Sequence, residues 1–285
     1  MHAIPRSPML SRRGLLGGAL LGGALAALAP SRAFAQPLSD LSRIYRETPL
    51  RIAMPRFASP PFFEASTEDN AGIDVALAQD IGRVLEVDVT FDRQPATFDE
   101  AVERIAAGDA DLAICKLSRT VRRGRLIRYS RPYAVFNHGL IANRIRLAQM
   151  ARSKPADDVI RDFSGELGVI GHSSFAEFAG ANFPHATIRE FADWTSMIDA
   201  VRAEEIDMAY RDDFEIKKLL VDDPSLTVVA RSITLTDKRD TLAIGIRPDA
   251  AHLADFVDLF LDISRGGAVM TTDEIIARYR ASQGV

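Results

Sequence analysis

Ser118, Thr120 and Arg123 stand close together in residues 111–133, DLAICKLSRTVRRGRLIRYSRPY. A guanidinium is a planar fork that matches a carboxylate, and nearby hydroxyls can complete the remaining lone pairs. The combination reads as an anion grip. Residues 112–115 read as a buried strand running into it, and in open α/β sheets ligands bind beyond the carboxyl ends of strands. The same segment carries Arg119, Arg122, Arg125 and Arg128. A basic run of that kind also forms a solvated face, so both readings stand on these residues alone. Lys116, immediately after the strand, adds a second cation.

The elements that must position this grip follow from pattern and punctuation. Residues 50–54 form a short apolar strand. The loop after it, PRFASPPFF, carries Arg56, Phe57 and Phe62 among prolines that cannot donate to a ladder. Aromatic residues just beyond a strand suit a ligand wall. Leu77, Ile81, Val84 and Leu85 recur at helical spacing after Gly72-Ile73-Asp74, with Asp74 placed to cap that helix. Residues 87–91 then read as a strand, giving a βαβ order. Thr97-Phe98-Asp99-Glu100 has the form of a capping box, and Phe98, Val102 and Ile105 share one face of the helix it opens. Gly108 ends that helix ahead of the strand at 111–115.

This helix and strand recur. Trp194, Met197, Ile198, Val201, Ala203, Asp207, Met208, Ala209 and Tyr210 match Phe98, Ala101, Val102, Ile105, Ala107, Asp111, Leu112, Ala113 and Ile114 at a constant offset of 96. Two amphipathic helices can resemble each other by chance. Taken as a true repeat, the pattern predicts two similar α/β lobes rather than one long sheet. At the same offset Lys116 matches Asp212, so lobes facing each other across a cleft would offer a cation and an anion to the two ends of a zwitterion.

The remaining segments fill in the second lobe and the return. Residues 136–142 are apolar and extended, and carry the chain across. Residues 167–170 open the second lobe, followed by Gly171-His172-Ser173-Ser174 ahead of a helix at 175–181. First-turn N–H groups there lack intrahelical acceptors, which makes an anion site, although capping by Ser173 or Ser174 explains the same residues. His172 has no neighbouring His, Cys or acidic cluster, so no metal site is expected. Residues 241–246 are the return strand. Helices at 250–264, with a stripe of Leu253, Phe256, Val257 and Phe260, and at 272–280 are expected to pack back on the first lobe.

The first 35 residues hold Arg6, Arg12, Arg13 and Arg32, no acid, an apolar run, and Ala33-Phe34-Ala35. That is the order of an export signal cleaved after Ala35, and Ser11-Arg12-Arg13-Gly14-Leu15-Leu16 resembles the twin-arginine motif. Without the four arginines of the leader, 31 basic residues face 39 acidic ones, a net of −8. A net acidic chain with 7% aromatic residues is poorly suited to nucleic acid. Cys115, the single cysteine, lies in an apolar strand and reads as core packing. Export without disulfides points to a bacterial periplasm.

With these segments placed, residues 50–279 resemble the type II periplasmic solute-binding proteins, specifically the polar amino acid-binding family of ABC transporters (bacterial extracellular solute-binding family 3). The motif Asp-x6-Ser-x-Thr-x-x-Arg followed by an aromatic-Ser-x-Pro-Tyr stands here as Asp111, Ser118, Thr120, Arg123 and Tyr129-Ser130-Arg131-Pro132-Tyr133. Pro60-Pro61-Phe62, Gly72-Ile73-Asp74-Val75-Ala76-Leu77-Ala78 and Gly168-Val169-Ile170-Gly171-His172-Ser173-Ser174 match further family segments. The resemblance implies that Arg123 holds a carboxylate, that Ser118 adds a contact, that Thr120 caps the next helix, and that Asp212 meets an ammonium. His172 departs from the glycine of the family's anion loop, and Arg131 from its usual acid. Positive charge from Arg56, Lys116 and Arg211 favours an acidic side chain or a second carboxylate.

The expectations are therefore a two-lobed α/β binding protein, each lobe a mixed sheet flanked by helices. Residues 1–35 are the signal, 36–48 an extension, 49–137 with 243–285 the first lobe, and 138–242 the second, with hinges at 138–143 and 242–246. The chain is expected to bind a small polar amino acid or organic acid for an ABC permease at the inner membrane, as a monomer without cofactor. The ligand-binding set is Arg123, Ser118, Asp212, Lys116, Phe62, Phe57, Ser173, Thr120, Arg56 and His172. Two alternatives share the fold: a dehydratase-like periplasmic enzyme using Glu64, His172 or Lys116, and an accessory or sensor protein of a periplasmic dehydrogenase.

Overall fold

A long antiparallel strand pair forms the spine of the molecule. In the computed structural model, which describes residues 40–47, 49–65, 71–152 and 155–284, the fourth strand in chain order pairs with the eighth from Arg128↔Ile246 to Asn143↔Ala230. The strands are β1 (Leu50–Ala53), β2 (Val89–Asp92), β3 (Leu112–Ala113), β4 (Arg128–Asn143), β5 (Glu166–Ile170), β6 (Thr187–Phe191), β7 (Met208–Asp212), β8 (Ala230–Ile246) and β9 (Met270–Thr271). Their order is β2-β1-β3-β8-β4-β7-β5-β6, with β9 on β4. Parallel βαβ units lie on either side of the antiparallel spine, the mixed α/β architecture expected, but the long strands β4 and β8 join them into one continuous sheet among the described residues rather than two separate ones. The export-signal and twin-arginine expectations, with the cleavage at Ala35, fall outside the described residues.

Apolar cores form at both ends of this spine. One gathers β1, β3, the helix Ile73–Leu85 and the helix Ala251–Arg265 around residues such as Ile52, Ile81, Ile114 and Leu253. Two more lie on opposite faces of β5 and β7, around Leu140 and Tyr210 on one side and Ile141 and Val201 on the other. Period-2 alternation along β4 and β7 explains this, since adjacent side chains point to opposite faces of a sheet. Residues 251–265 carry the expected stripe, with Leu253, Val257 and Phe260 buried. The helix Asp40–Glu47 buries Leu41 and Ile44, and its Asp40 accepts a hydrogen bond from Leu253 N at 2.8 Å.

The repeat is visible in three dimensions. The helices Phe98–Ala106 and Trp194–Arg202 have equal lengths, and their N-caps Thr97 and Asp193 accept from Glu100 N and Ser196 N. Each unit carries a buried aspartate that ties down a neighbouring strand. Asp111 accepts from Arg51 N at 3.0 Å and from its guanidinium; Asp207 accepts from Glu166 N at 2.9 Å and from Arg146 Nε at 2.7 Å.

Several local expectations change. The capping-box glutamate Glu100 reaches Ala96 N at 2.6 Å, one residue before the N-cap. Helix Ile73–Leu85 has Gly72 as N-cap with no side-chain cap, so Asp74 does not cap it. Gly72 has φ 125°, and a Cβ there would lie 2.2 Å from Phe62 O, which only glycine avoids. The strand at Leu112 ends at Ala113, earlier than its apolar run suggests. Residues 242–246 sit between β3 and β4 as paired, buried strand. The spine is irregular at Tyr129/Pro132 and Pro132/Ala134, opposite 242–245, and at Asn137/His138, where the register jumps from Arg239 to Leu235 and leaves 236–238 out of step.

Candidate functional site

Lys116 turns the chain sharply beyond the carboxyl end of β3, with φ 53°. Such a backbone is uncommon for a side chain with a Cβ and needs an outside hold. Asp74 supplies it: its Oδ2 accepts from Lys116 N at 2.5 Å. Asp74 is fully buried, and burial pushes its pKa up to about 7 against the pull of its hydrogen bonds.

The Lys116 ammonium points into a closed cage. It donates to Asp212 Oδ2 at 3.0 Å and to Glu215 Oε1 at 2.7 Å. The rings of Phe62, Phe136 and Phe214 face it with centroids at 5.7, 5.6 and 5.4 Å. Ring faces carry partial negative charge and attract a cation, most strongly when it is desolvated. Asp212 is also the N-cap of helix Asp213–Asp222, its Oδ1 accepting from Glu215 N at 2.9 Å. Burial alone would raise the Glu215 pKa, but the charges of Lys116 and Arg211 outweigh it and hold the group below the usual carboxylate range.

Arg123 is held by a second set of contacts. Thr120 caps the short helix Val121–Gly124 by accepting from Arg123 N at 3.2 Å. The guanidinium donates through Nε to Asp99 Oδ1 at 2.9 Å and through Nη1 to Ser118 O at 3.2 Å. Its Nη2 is buried and has no hydrogen-bond partner among the described residues. Such a donor is expensive to leave unmet, so a buried orphan on an arginine calls for an acceptor from outside the chain. Ser118 Oγ donates to Asp240 Oδ2 at 2.8 Å, and Ser174 Oγ donates to Ser118 Oγ at 2.9 Å. Burial, reinforced by the charge of Asp212, lifts Asp240 to about 7, and its Oδ1 is likewise without a partner among the described residues.

These groups surround an inner cavity of about 40 Å³. That holds roughly two to four waters. Lys116, Ser118 and Arg123 line it from the segment after β3; Ser173, Ser174 and Asp212 line it from the ends of β5 and β7. A larger vestibule of about 470 Å³ shares Phe98, Ile170, Ser173 and Arg211 with it. Phe57, His172 and Trp194 line this outer space, and the Arg211 guanidinium lies 5.1 Å above the Trp194 ring.

Of the residues singled out in the sequence, the fold thus brings Arg123, Ser118, Lys116, Asp212 and Ser173 together at the inner cavity. Phe57 and His172 stand at the vestibule. Phe62 is buried in the Lys116 cage, Thr120 sits behind the cavity as a cap, and Arg56 is exposed and lines neither space. Lys116 and Asp212 meet each other rather than standing apart to receive opposite ends of a ligand. Ser173 is the helix cap, accepting from Ala176 N at 3.4 Å, which frees Ser174 to face Ser118. Asp99 and Asp240 were not anticipated as site residues. Asp99 reads as a first-turn acid, and Asp240 lies in the charged run Asp237-Lys238-Arg239-Asp240, where only strand register shows that it alone turns inward.

Residues 50–156 match the family model of the bacterial extracellular solute-binding proteins, family 3. This is the family the sequence motifs resemble. Solved structures of such binding proteins superpose over most of the chain. An ancestral amino acid-binding protein, described as a precursor of cyclohexadienyl dehydratase, is 19% identical with a TM-score of 0.63, covering 84% of this chain and 98% of its own. The L-cysteine receptor of Neisseria gonorrhoeae is 17% identical with a TM-score of 0.64, covering 85% and 92%. An amino acid ABC transporter substrate-binding protein of Streptococcus pneumoniae bound to L-arginine is 21% identical with a TM-score of 0.62, covering 82% and 94%. The fold is therefore that of the two-lobed binding proteins. A comparison with curated protein sequences found no match.

Proposed function

We propose that the chain is an exported, periplasmic solute-binding protein that captures a small carboxylate-bearing solute between two lobes and presents it to an ABC permease. The observation that carries this reading is the Arg123 guanidinium, 2% exposed and fixed by Asp99, with Nη2 buried and without a partner among the described residues, lining one cavity with Ser118 and Ser174. A rigid fork with one unmet donor is preorganised for a carboxylate oxygen. The lobes join through β4 and β8, and the register break at Asn137/His138 is the natural place for them to flex. A ligand bridging both sides would favour the closed state by its extra contacts there.

The test is a melting-temperature screen of the mature protein against amino acids and mono- and dicarboxylic acids. A ligand at a hundredfold excess over Kd adds about 2.7 kcal/mol of stability. Arg123→Ala should abolish the response, and Arg123→Lys, which keeps a charge beside Asp99 but loses the fork, should weaken it. If no carboxylate raises the melting temperature, the reading fails.

A second reading, an acid–base enzyme on the same fold, is favoured by one feature. Asp240 titrates near neutrality inside the cavity, as a general acid or base must. Glu64 lines neither space, Lys116 is locked in its cage and His172 lines only the outer vestibule, which leaves Asp240 the better candidate. Turnover of a prephenate-like acid that disappears in Asp240→Asn would establish it over simple capture.

A further inference from the structure

The inner cavity has the means to hold a carboxylate, but the Asp212 and Glu215 pair that would hold an ammonium is already taken. Asp212 Oδ2 is taken by Lys116 Nζ and its Oδ1 by Glu215 N; Glu215 Oε1 is taken by Lys116 as well. The three phenylalanine faces turn toward the same ammonium. Two carboxylates and a ring of aromatic faces are the partners a bound ammonium would seek, and a lysine of the chain's own occupies them. Lys116 cannot swing aside cheaply, because Asp74 clamps its backbone and the side chain is only 5% exposed. A ligand ammonium entering the cavity would meet a like charge and find no free carboxylate beside it. Asp240 is the other acid lining the cavity, and burial favours its neutral form, which donates a hydrogen bond to an incoming oxygen.

Building on the carboxylate reading above, we propose that the solute is a carboxylic acid without an α-ammonium. Its carboxylate meets Arg123 Nη2 and the proton that neutral Asp240 carries on Oδ1, while the Ser118 and Ser174 protons stay on Asp240 Oδ2 and Ser118 Oγ. Its remaining body extends into the vestibule between Phe57, Phe98 and Trp194. Lys116 acts as a built-in surrogate for the ligand ammonium and so decides which class of acid is admitted.

Calorimetric titration of the mature protein with matched pairs tests this directly: propanoate against alanine, succinate against aspartate, and 3-phenylpropanoate against phenylalanine. Within each pair the acids differ only by the ammonium. In any pair that binds, the deaminated acid should bind about tenfold or more tightly than its partner. An amino acid that equals or exceeds its deaminated partner overturns the proposal while leaving the carboxylate reading intact. Silence from all six overturns both. In Lys116→Met the cage is vacated, and the amino acid of the pair should gain affinity relative to its acid; an unchanged ratio in a folded variant counts against the surrogate role. Should that variant fail to fold, the comparison on the unaltered protein still decides.

Discussion

Lys116 and Asp212, 96 residues apart at equivalent ends of two repeated helix–strand units, are joined by a salt bridge of 3.0 Å with both side chains buried. Desolvating two charges is costly, and their attraction offsets that only when further partners complete the geometry. Glu215 and the three phenylalanine rings complete it here. The pair therefore serves as a fixed polar contact between the two halves of the molecule.

Removing one member should be severe. Lys116→Met leaves Asp212 and Glu215 buried with only the longer contacts of Arg211, at 3.8 and 3.6 Å, and should cost about 3–5 kcal/mol in urea unfolding. The triple variant Lys116→Met, Asp212→Asn, Glu215→Gln removes the uncompensated charge and should recover part of that loss. A triple variant no more stable than the single one would show that the charges are not the cause.

Stability should fall as pH rises from about 4 to about 7, the losses at Asp240 and Asp74 outweighing the opposite effect of His138, which burial lowers to about 4. Asp240 moves from its ordinary 3.8 to about 7 on folding, so the folded state favours the protonated form. Its contribution is fully present below about pH 4 and is lost as pH rises to about 7, with a total on the order of a few kcal/mol. Asp74, also raised to about 7, acts in the same direction. Urea midpoints at pH 5 and pH 8 should differ accordingly, and Asp240→Asn should shrink the difference; an identical pair of midpoints would contradict it.

Asp99 holds the Arg123 fork in place and also pairs with Arg122 at 2.6 Å. Asp99→Ala should weaken binding of a carboxylate probe by about tenfold or more, since a misplaced fork loses its alignment. Stability should change less than in Lys116→Met. An unaltered Kd would place Asp99 outside the site's support.

Gly72 should tolerate no side chain. Alanine there must adopt φ 125° and bring its Cβ against Phe62 O, so Gly72→Ala should lower stability by about 1–3 kcal/mol or more. Because Phe62 forms one wall of the Lys116 cage, thermal unfolding should also become less cooperative. A melting temperature equal to that of the parent would refute the steric reading.

The local rules of the chain were readable without coordinates. Helical spacing and a cap located Phe98–Ala106, the offset of 96 exposed its repeat at Trp194–Arg202, and the spacing of Ser118, Thr120 and Arg123 marked the grip. These are short-range properties, fixed by periodicity and hydrogen-bond needs within a few residues. Tertiary structure alone decided the partners. That Asp74 clamps Lys116 rather than capping its own helix follows from where that helix packs. That Asp240 turns inward depends on the register of β8, which a shift of one residue would reverse. The meeting of Lys116 with Asp212 depends on both halves closing on one cage. Offset and charge in the sequence named the two residues; only the distance between them showed that each is the other's partner.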